Sequence, residues 1–161
     1  MSRWTVAYDS TLPIAPTELW RWHQRPGAFE RLTPPWEDVE VVHRDPRGIV
    51  DGAEVVLRIV QGGLPLRWVA RHEVPDPGSG FSDRQIAGPF AYMHHQRHFG
   101  PVDGRATRLT EQITAELPLA PFSDLAIPHV RRQFARMLAW RHHVLQDDLE
   151  QQMTTPMSPM R

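Results

Sequence analysis

The chain has 161 residues with 18 basic and 19 acidic side chains, a formal net charge of -1, and no cysteine. This length and a hydrophobic fraction of 40% suit one globular domain with a single core. Because nucleic-acid-binding proteins usually present a basic face, the balanced charge argues against nucleic acid as a partner. Without cysteine there are no disulfides, thiolate nucleophiles or cysteine-based zinc sites.

The sequence carries no sign of a membrane-targeting segment. Residues 1–9 alternate between apolar and polar types instead of forming the continuous apolar run of a signal peptide. No stretch approaches the ~18 apolar residues of a membrane-spanning helix. We therefore expect a cytoplasmic protein without stable membrane insertion, either a monomer or a weak dimer.

The first forty residues predict one strand and two short helices. Alternation of apolar and polar residues predicts the strand over about 3–10. Pro16 opens a short helix that Pro26-Gly27 breaks, and a second helical turn spans 28–32. The following Thr33-Pro34-Pro35 ends it, because a residue that precedes proline avoids the α conformation.

Between Val39 and Pro118 the pattern changes to strands separated by turn residues. Glycine, proline and aspartate mark the breaks, and short loops between successive strands imply antiparallel neighbours. The predicted strands lie near 38–44, 52–61, 65–74, 80–87, 91–100 and 105–117.

One long helix follows, predicted over 122–151 because apolar residues recur there at helical spacing. At about 1.5 Å per residue, this helix is long enough to cross a whole sheet. A seven-stranded antiparallel sheet must curl, and the long helix is the element that can cover its concave face. The sequence therefore predicts one α+β domain over 1–151 with an apolar cavity between sheet and helix, and a disordered tail over 152–161.

Ionisable residues occupy inward positions of the predicted sheet. Phe99 belongs to the core, so Arg97 and His95 share its face. Glu111 lies on the inward face of the next strand, and a register that joins the two faces puts His95 opposite Glu111. The same reasoning sets Asp83 opposite His95. The result is a row of three ionisable side chains, Asp83, His95 and Glu111.

Arg141 lies on the apolar stripe of the long helix, seven residues after Phe134. A buried guanidinium is costly unless it is paired, so Asp83 or Glu111 is its expected partner. The row has three interpretations: an ionic network that fixes the helix on the sheet, a polar anchor for a ligand, or a general acid/base with His95 as the base. We favour the first two, because no nucleophile motif accompanies the third.

Apolar and aromatic side chains are expected to line the cavity, and about half of the aromatic ones to pack the core instead. Trp36 follows a rigid pair of prolines after the second short helix, which places it at the expected mouth of the cavity. The candidate ligand-binding residues are Phe29, Leu32, Trp36, Trp68, Phe90, Met93, His95, Arg97, Phe134, Met137 and Arg141.

Nine histidines raise the question of a metal site. His94 and His95 are neighbours on a strand and point to opposite faces, and His94 and His98 are about 13 Å apart. One ion cannot bind both at ~2.1 Å. The segment Gly78-Ser79-Gly80 lacks the lysine and the helix of a phosphate-binding loop. We expect no metal and no cofactor.

Several local strings follow one another in a distinctive order along residues 3–150. They are Leu32 to Trp36, Arg67-Trp68, Phe81 to Phe90, His95, Phe99, Leu117-Pro118 and Phe134 to Arg141. This order resembles the START/Bet v 1-like superfamily, and within it the bacterial proteins similar to polyketide cyclases and dehydrases. The resemblance implies a helix-grip fold. It implies no single activity, since this fold hosts lipid carriers, cyclases, hormone receptors and hydrolase activators.

Three functions from different classes fit these features. The leading hypothesis is the binding or carriage of a hydrophobic or aromatic small molecule, such as a lipid, a quinone or a polyketide-like compound. The alternative is an enzyme of the cyclase, dehydratase or hydrolase type. In it His95 acts as acid or base, Asp83 or Glu111 orients it, and Arg141 or Arg97 stabilises an enolate. A protein-interaction domain is the third.

Overall fold

The computed structural model describes residues 2–154 and is dominated by one antiparallel sheet. Its strand order, β1-β7-β6-β5-β4-β3-β2, pairs the first strand with the last. The elements in chain order are β1 (Trp4–Leu12), α1 (Pro16–Gln24), α2 (Ala28–Arg31), β2 (Val39–Arg44), β3 (Glu54–Gln61), β4 (Leu64–Glu73), β5 (Gly80–Ala87), β6 (Tyr92–Asp103), β7 (Ala106–Glu116), a 3₁₀ helix (Phe122–Ala126) and α3 (Ile127–Thr154).

The predicted α+β architecture is confirmed, with a curved seven-stranded sheet, two short helices and one long C-terminal helix. The predicted helix over 122–151 is in fact two elements, because 122–126 forms a 3₁₀ helix. Pro128 follows as the second residue of α3. Its missing N–H costs no hydrogen bond there, because the first N–H groups of a helix have no partner within the helix. The helix continues to Thr154, past the predicted start of the tail at 152, and residues 155–161 lie outside the described chain.

Two apolar clusters occupy opposite ends of the space between sheet and α3. The first cluster joins α1 and the C-terminal half of α3 to the inward face of the sheet, with Phe99, Leu109 and Leu145 at its centre. The second cluster surrounds Met93 and Ile113 and lies against the N-terminal half of α3. The domain therefore has apolar packing at both ends of its long helix.

A polar layer separates the two clusters, and the period of each element places it there. On β6 the inward residues His95 and Arg97 lie between Met93 and Phe99, and on β7 Glu111 lies between the buried Leu109 and Ile113. On α3 the corresponding buried residues are Arg141 and His142, which follow Leu138 and precede Leu145.

His23 is a buried histidine that packs against the aromatic rings of the first cluster. Its Nδ1–H donates to the Leu19 carbonyl oxygen at 2.9 Å, and its ring contacts those of Phe81 and Phe99. Burial lowers the pKa of His23 from 6.5 to about 4, because a charged imidazolium would lose its hydration there. His23 is therefore neutral in the folded protein at neutral pH.

This burial predicts an acid-sensitive stability. Between pH 6.5 and about 4 the unfolded chain protonates His23 while the folded chain does not, so the free energy of unfolding must fall as the pH drops through that window. At about pH 4.5, His23 accounts for a loss of roughly 2–3 kcal/mol relative to neutral pH. Urea unfolding at neutral pH and at about pH 4.5 measures this loss. In His23→Phe the free energy of unfolding should fall between the two pH values by roughly 2–3 kcal/mol less than in the parent chain.

The matched control is His143→Phe, which replaces a histidine on the exposed face of α3. It should leave the acid-induced loss as it is in the parent chain. An identical loss in the parent chain and in His23→Phe would contradict the assignment.

Candidate functional site

A cavity of about 470 Å³ lies between the sheet and the N-terminal half of α3. This volume is within the range of roughly 300–1,000 Å³ that is usual for small-molecule sites. It opens where three connections meet, since the β3–β4 turn, the β5–β6 loop and the segment after β7 all leave the same end of the sheet. Exposed lining residues at this opening include Gln61, Pro118, Leu119 and Gln133.

Most of the predicted ligand-binding residues line this cavity. Aromatic rings form one wall, where Phe90 lies 5.7 Å from both Trp68 and Phe134 between ring centroids. The sequence reasoning missed Leu57, Ile59 and Val130, although alternation along β3 and the helical stripe carried the signal for them. The predicted residues that line the cavity are Phe29, Leu32, Trp68, Phe90, Met93, His95, Arg97, Phe134, Met137 and Arg141.

Trp36 is the exception among the predicted residues, because it does not line the cavity. Its ring contacts Trp140 at 5.9 Å, and the Arg136 guanidinium lies 3.9 Å above it. These two contacts hold Trp36 against the outer side of α3. The preceding Thr33 and Pro34 line the cavity instead, so this loop lies at the cavity although Trp36 does not line it.

The predicted row of ionisable residues is present, with a different register in one place. Asp83 pairs with His95 across β5 and β6, as predicted. Glu111 pairs with Arg97, and His95 with Ile113, so the predicted pairing of His95 with Glu111 was wrong by two residues. The reason is that the β6–β7 hairpin turns later in the chain than the sequence suggested. A shift of two residues keeps each side chain on its face, so His95 still reaches Glu111 diagonally.

Glu111 is the centre of the polar layer and is fully buried. Its carboxylate oxygens lie 2.5 Å from His95 Nε2, 3.5 Å from His142 Nε2, 3.8 Å from Arg97 Nε and 3.9 Å from Arg141 Nε. Burial alone would raise the pKa of Glu111, but Arg141, His142 and His95 outweigh it and hold that pKa well below its usual range. Glu111 is therefore an anion in the folded protein.

Asp83 is the second carboxylate of the layer, and both of its oxygens are bonded. Arg97 Nη1 donates to Oδ2 at 2.7 Å, and His72 Nδ1 lies 2.5 Å from Oδ1. Burial raises the pKa of Asp83, but Arg97 and His72 more than cancel that effect and hold the pKa well below its usual range. The sequence reasoning missed His72, which is paired directly with Asp83 across β4 and β5.

His95 is bonded through both ring nitrogens. Arg97 Nη2 lies 3.2 Å from Nδ1, and since a guanidinium can only donate, Nδ1 is the acceptor. Nε2 then carries the hydrogen and donates to Glu111 at 2.5 Å. Burial and the charge of Arg97 lower the pKa of His95 from 6.5 to about 4, so the imidazole is neutral near pH 7.

Arg141 differs from its neighbours because it lacks a close partner. It is buried and lines the cavity, and its nearest carboxylate oxygen is the one on Glu111, 3.9 Å from Nε. No hydrogen bond from Nε is found within residues 2–154. Burial lowers the pKa of Arg141 and Glu111 opposes that effect, but arginine stays charged. The apolar cavity therefore ends at the guanidinium of Arg141, which has N–H groups that can still donate hydrogen bonds.

The chain has the helix-grip fold of START and Bet v 1-like structures, with a cavity under its long helix. The chain belongs to the polyketide cyclase/dehydrase and lipid transport family, whose profile matches residues 12–141. Comparison with curated proteins finds no significant match.

Solved structures share this fold at low sequence identity. The Zhui aromatase/cyclase from Streptomyces sp. R1128 is 16% identical, with a TM-score of 0.67 over 98% of this chain and 99% of its own. A START superfamily protein from Mycobacterium smegmatis is 14% identical, with a TM-score of 0.64 over 91% and 97%. Norcoclaurine synthase from Thalictrum flavum, solved with dopamine and hydroxybenzaldehyde, is 14% identical, with a TM-score of 0.65 over 92% and 88%.

Within the described residues, no group of three or more histidine, aspartate or glutamate side chains is arranged to hold a metal ion. In the same part of the chain, no helix combines the length and the apolar character needed to span a membrane.

The polar layer predicts strong coupling between Glu111 and Arg141. In Glu111→Leu the carboxylate of Asp83 is the one that remains in the layer to balance the charges of Arg97 and Arg141. We therefore expect the free energy of unfolding to fall by roughly 3–5 kcal/mol. Adding Arg141→Met removes one of the uncompensated cations. In urea unfolding the double variant should therefore be at least about 1 kcal/mol more stable than the sum of the single losses.

The control pairs Glu111→Leu with Met137→Leu, an uncharged change on the cavity-lining face of α3. Those two losses should add, because the two side chains share no charge interaction. Additive losses for the Glu111 and Arg141 variants as well would contradict the coupling.

Proposed function

We propose that this protein binds a small aromatic or otherwise apolar molecule in its cavity and holds an oxygen of that molecule at Arg141. The observation that carries the proposal is the buried guanidinium at the end of an apolar cavity, without a hydrogen bond from Nε. An unsatisfied buried donor is costly, so an oxygen of a ligand would stabilise it. The aromatic wall of Trp68, Phe90 and Phe134 favours a ring system over an alkyl chain.

The related structures are consistent with such a ligand. The norcoclaurine synthase structure contains dopamine and hydroxybenzaldehyde, which are both small aromatic molecules. The Streptomyces protein is an aromatase/cyclase, and that name points to ring compounds as well. For this chain, a quinone or a polyketide-like compound fits the aromatic wall better than a long-chain lipid does.

The catalytic alternative finds less support in the geometry. Both ring nitrogens of His95 are bonded, to Glu111 and to Arg97, so neither is free to exchange a proton with a ligand. All 18 basic residues are arginines, so no lysine is present to form an imine with a carbonyl substrate. Carriage or storage of the ligand is therefore our first proposal. A cytoplasmic location, a monomer or weak dimer, and the lack of a nucleic-acid partner stay predictions.

A pair of fluorescent probes tests the proposed anchor. Anilinonaphthalene sulfonate carries a sulfonate on its aromatic rings, and phenyl-naphthylamine has the same ring skeleton without a charge. Both should bind the parent protein. Arg141→Met should weaken sulfonate binding by roughly tenfold or more, because a charge-assisted bond of about 1.5–3 kcal/mol is lost. It should change binding of the neutral probe by less than about threefold.

Arg136→Met is the matched control, since Arg136 lies on the same helix and contacts Trp36 outside the cavity. Arg141→Lys tests charge with less disturbance, and it should retain part of the sulfonate binding. Equal losses for both probes in Arg141→Met, while the variant is still folded under the conditions of the binding assay, would show that Arg141 is no anchor. Failure of the folded parent to bind either probe would contradict the binding function itself.

A further inference from the structure

Three apolar side chains are exposed together beside the opening of the cavity. Leu119, Phe122 and Leu125 are 81%, 86% and 91% exposed. They recur every third residue, and Phe122 and Leu125 belong to the 3₁₀ helix over 122–126. A 3₁₀ helix has three residues per turn, so Phe122 and Leu125 lie on one face of it, and Leu119 precedes the helix by three residues. We call these three residues the apolar ridge.

The ridge belongs to the rim of the cavity. Ser123 and Ala126, in the same 3₁₀ helix, line the cavity, and Leu119 lines it as well. This short segment therefore has one side toward the cavity and another toward solvent. Any surface that covers the ridge also covers the entrance.

Positive charge adjoins the ridge at the start of α3. Residues 127–146 contain four arginines and no acidic residue. Arg131 and Arg132 are exposed, and neither forms an ion pair within the described chain. The N-terminal end of the helix adds a partial positive charge. The nearby Asp124 accepts a hydrogen bond from Ser2 Oγ at 2.8 Å.

We propose that the ridge, with Arg131 and Arg132, is a docking surface for an anionic lipid bilayer. Protruding apolar side chains flanked by arginines match the boundary between acyl chains and negative headgroups, where proteins bind reversibly without crossing the membrane. The ridge protrudes, whereas a pocket or groove would suit a protein segment better. Docking here would place the entrance of the cavity against the lipid bilayer, where apolar molecules accumulate.

Vesicle flotation tests this surface directly. The full chain should bind vesicles of equal parts phosphatidylcholine and phosphatidylglycerol, and bind pure phosphatidylcholine vesicles much more weakly. Phe122→Ser with Leu125→Ser should weaken binding by about tenfold or more, since two exposed apolar anchors are lost. Arg131→Gln with Arg132→Gln should weaken binding to the anionic vesicles by about tenfold and hardly change binding to the neutral ones.

Val102→Ser with Arg105→Gln is the matched control, because these residues belong to the β6–β7 hairpin at the opposite end of the sheet. This control should bind as the parent does. Absent binding of the parent to anionic vesicles would overturn the proposal, and so would unchanged binding by the ridge variant. Self-association that the ridge variant abolishes in the absence of vesicles would assign the ridge to a second copy instead. Vesicle binding needs no ligand, so these results are independent of the probe experiments.

Discussion

The buried carboxylate of Glu111 is the constraint on which the rest of the structure depends. An ionised carboxylate without water is costly unless charges and hydrogen bonds replace its hydration. Here the replacements come from two elements, because His95 and Arg97 belong to β6 while Arg141 and His142 belong to α3. Glu111 therefore fixes the long helix on the sheet at one depth and one rotation. Apolar packing alone would leave both more variable, since it has little directional preference.

The same layer explains why one end of the domain is solid and the other is hollow. Toward the C-terminal end of α3, Phe99, Leu109 and Leu145 fill the space with α1 on top of them. Toward the N-terminal end, α2 and the 3₁₀ helix are only 4 and 5 residues long and line the cavity without filling it, and side chains such as Ala115 are small. The curl of the sheet then leaves a cavity that the helix cannot fill. The layer forms the floor of that cavity.

The sequence predicted the fold and ten of the cavity-lining residues for physical reasons that differ from one feature to the next. Glycine and proline mark the strand ends, so the element order was readable, and alternation assigned the inward faces correctly. A period of two cannot detect a shift of two residues, so the pairing of His95 with Glu111 was misplaced while their contact survived. Trp36 was misplaced because its position depends on Trp140 and Arg136, which are about a hundred residues away and unrelated by any local pattern.

The arrangement of charge at the floor of the cavity favours one orientation of a bound ligand. Both oxygens of Asp83 are hydrogen-bonded within the layer, and both ring nitrogens of the neutral His95 are bonded as well. Glu111 Oε1 lacks a hydrogen bond, but Glu111 is fully buried beneath the cavity lining, so the floor offers a ligand no accessible acceptor and no free base. Of the two arginines in the layer, Arg97 is bonded through both Nη atoms, to Asp83 and His95, whereas no hydrogen bond from Arg141 Nε is found in the described part of the chain. In a site of low dielectric constant, such a cation attracts oxygen more strongly than it would in water. A ligand with one oxygen-bearing end would therefore enter with that end first and leave its rings among the aromatic side chains near the opening.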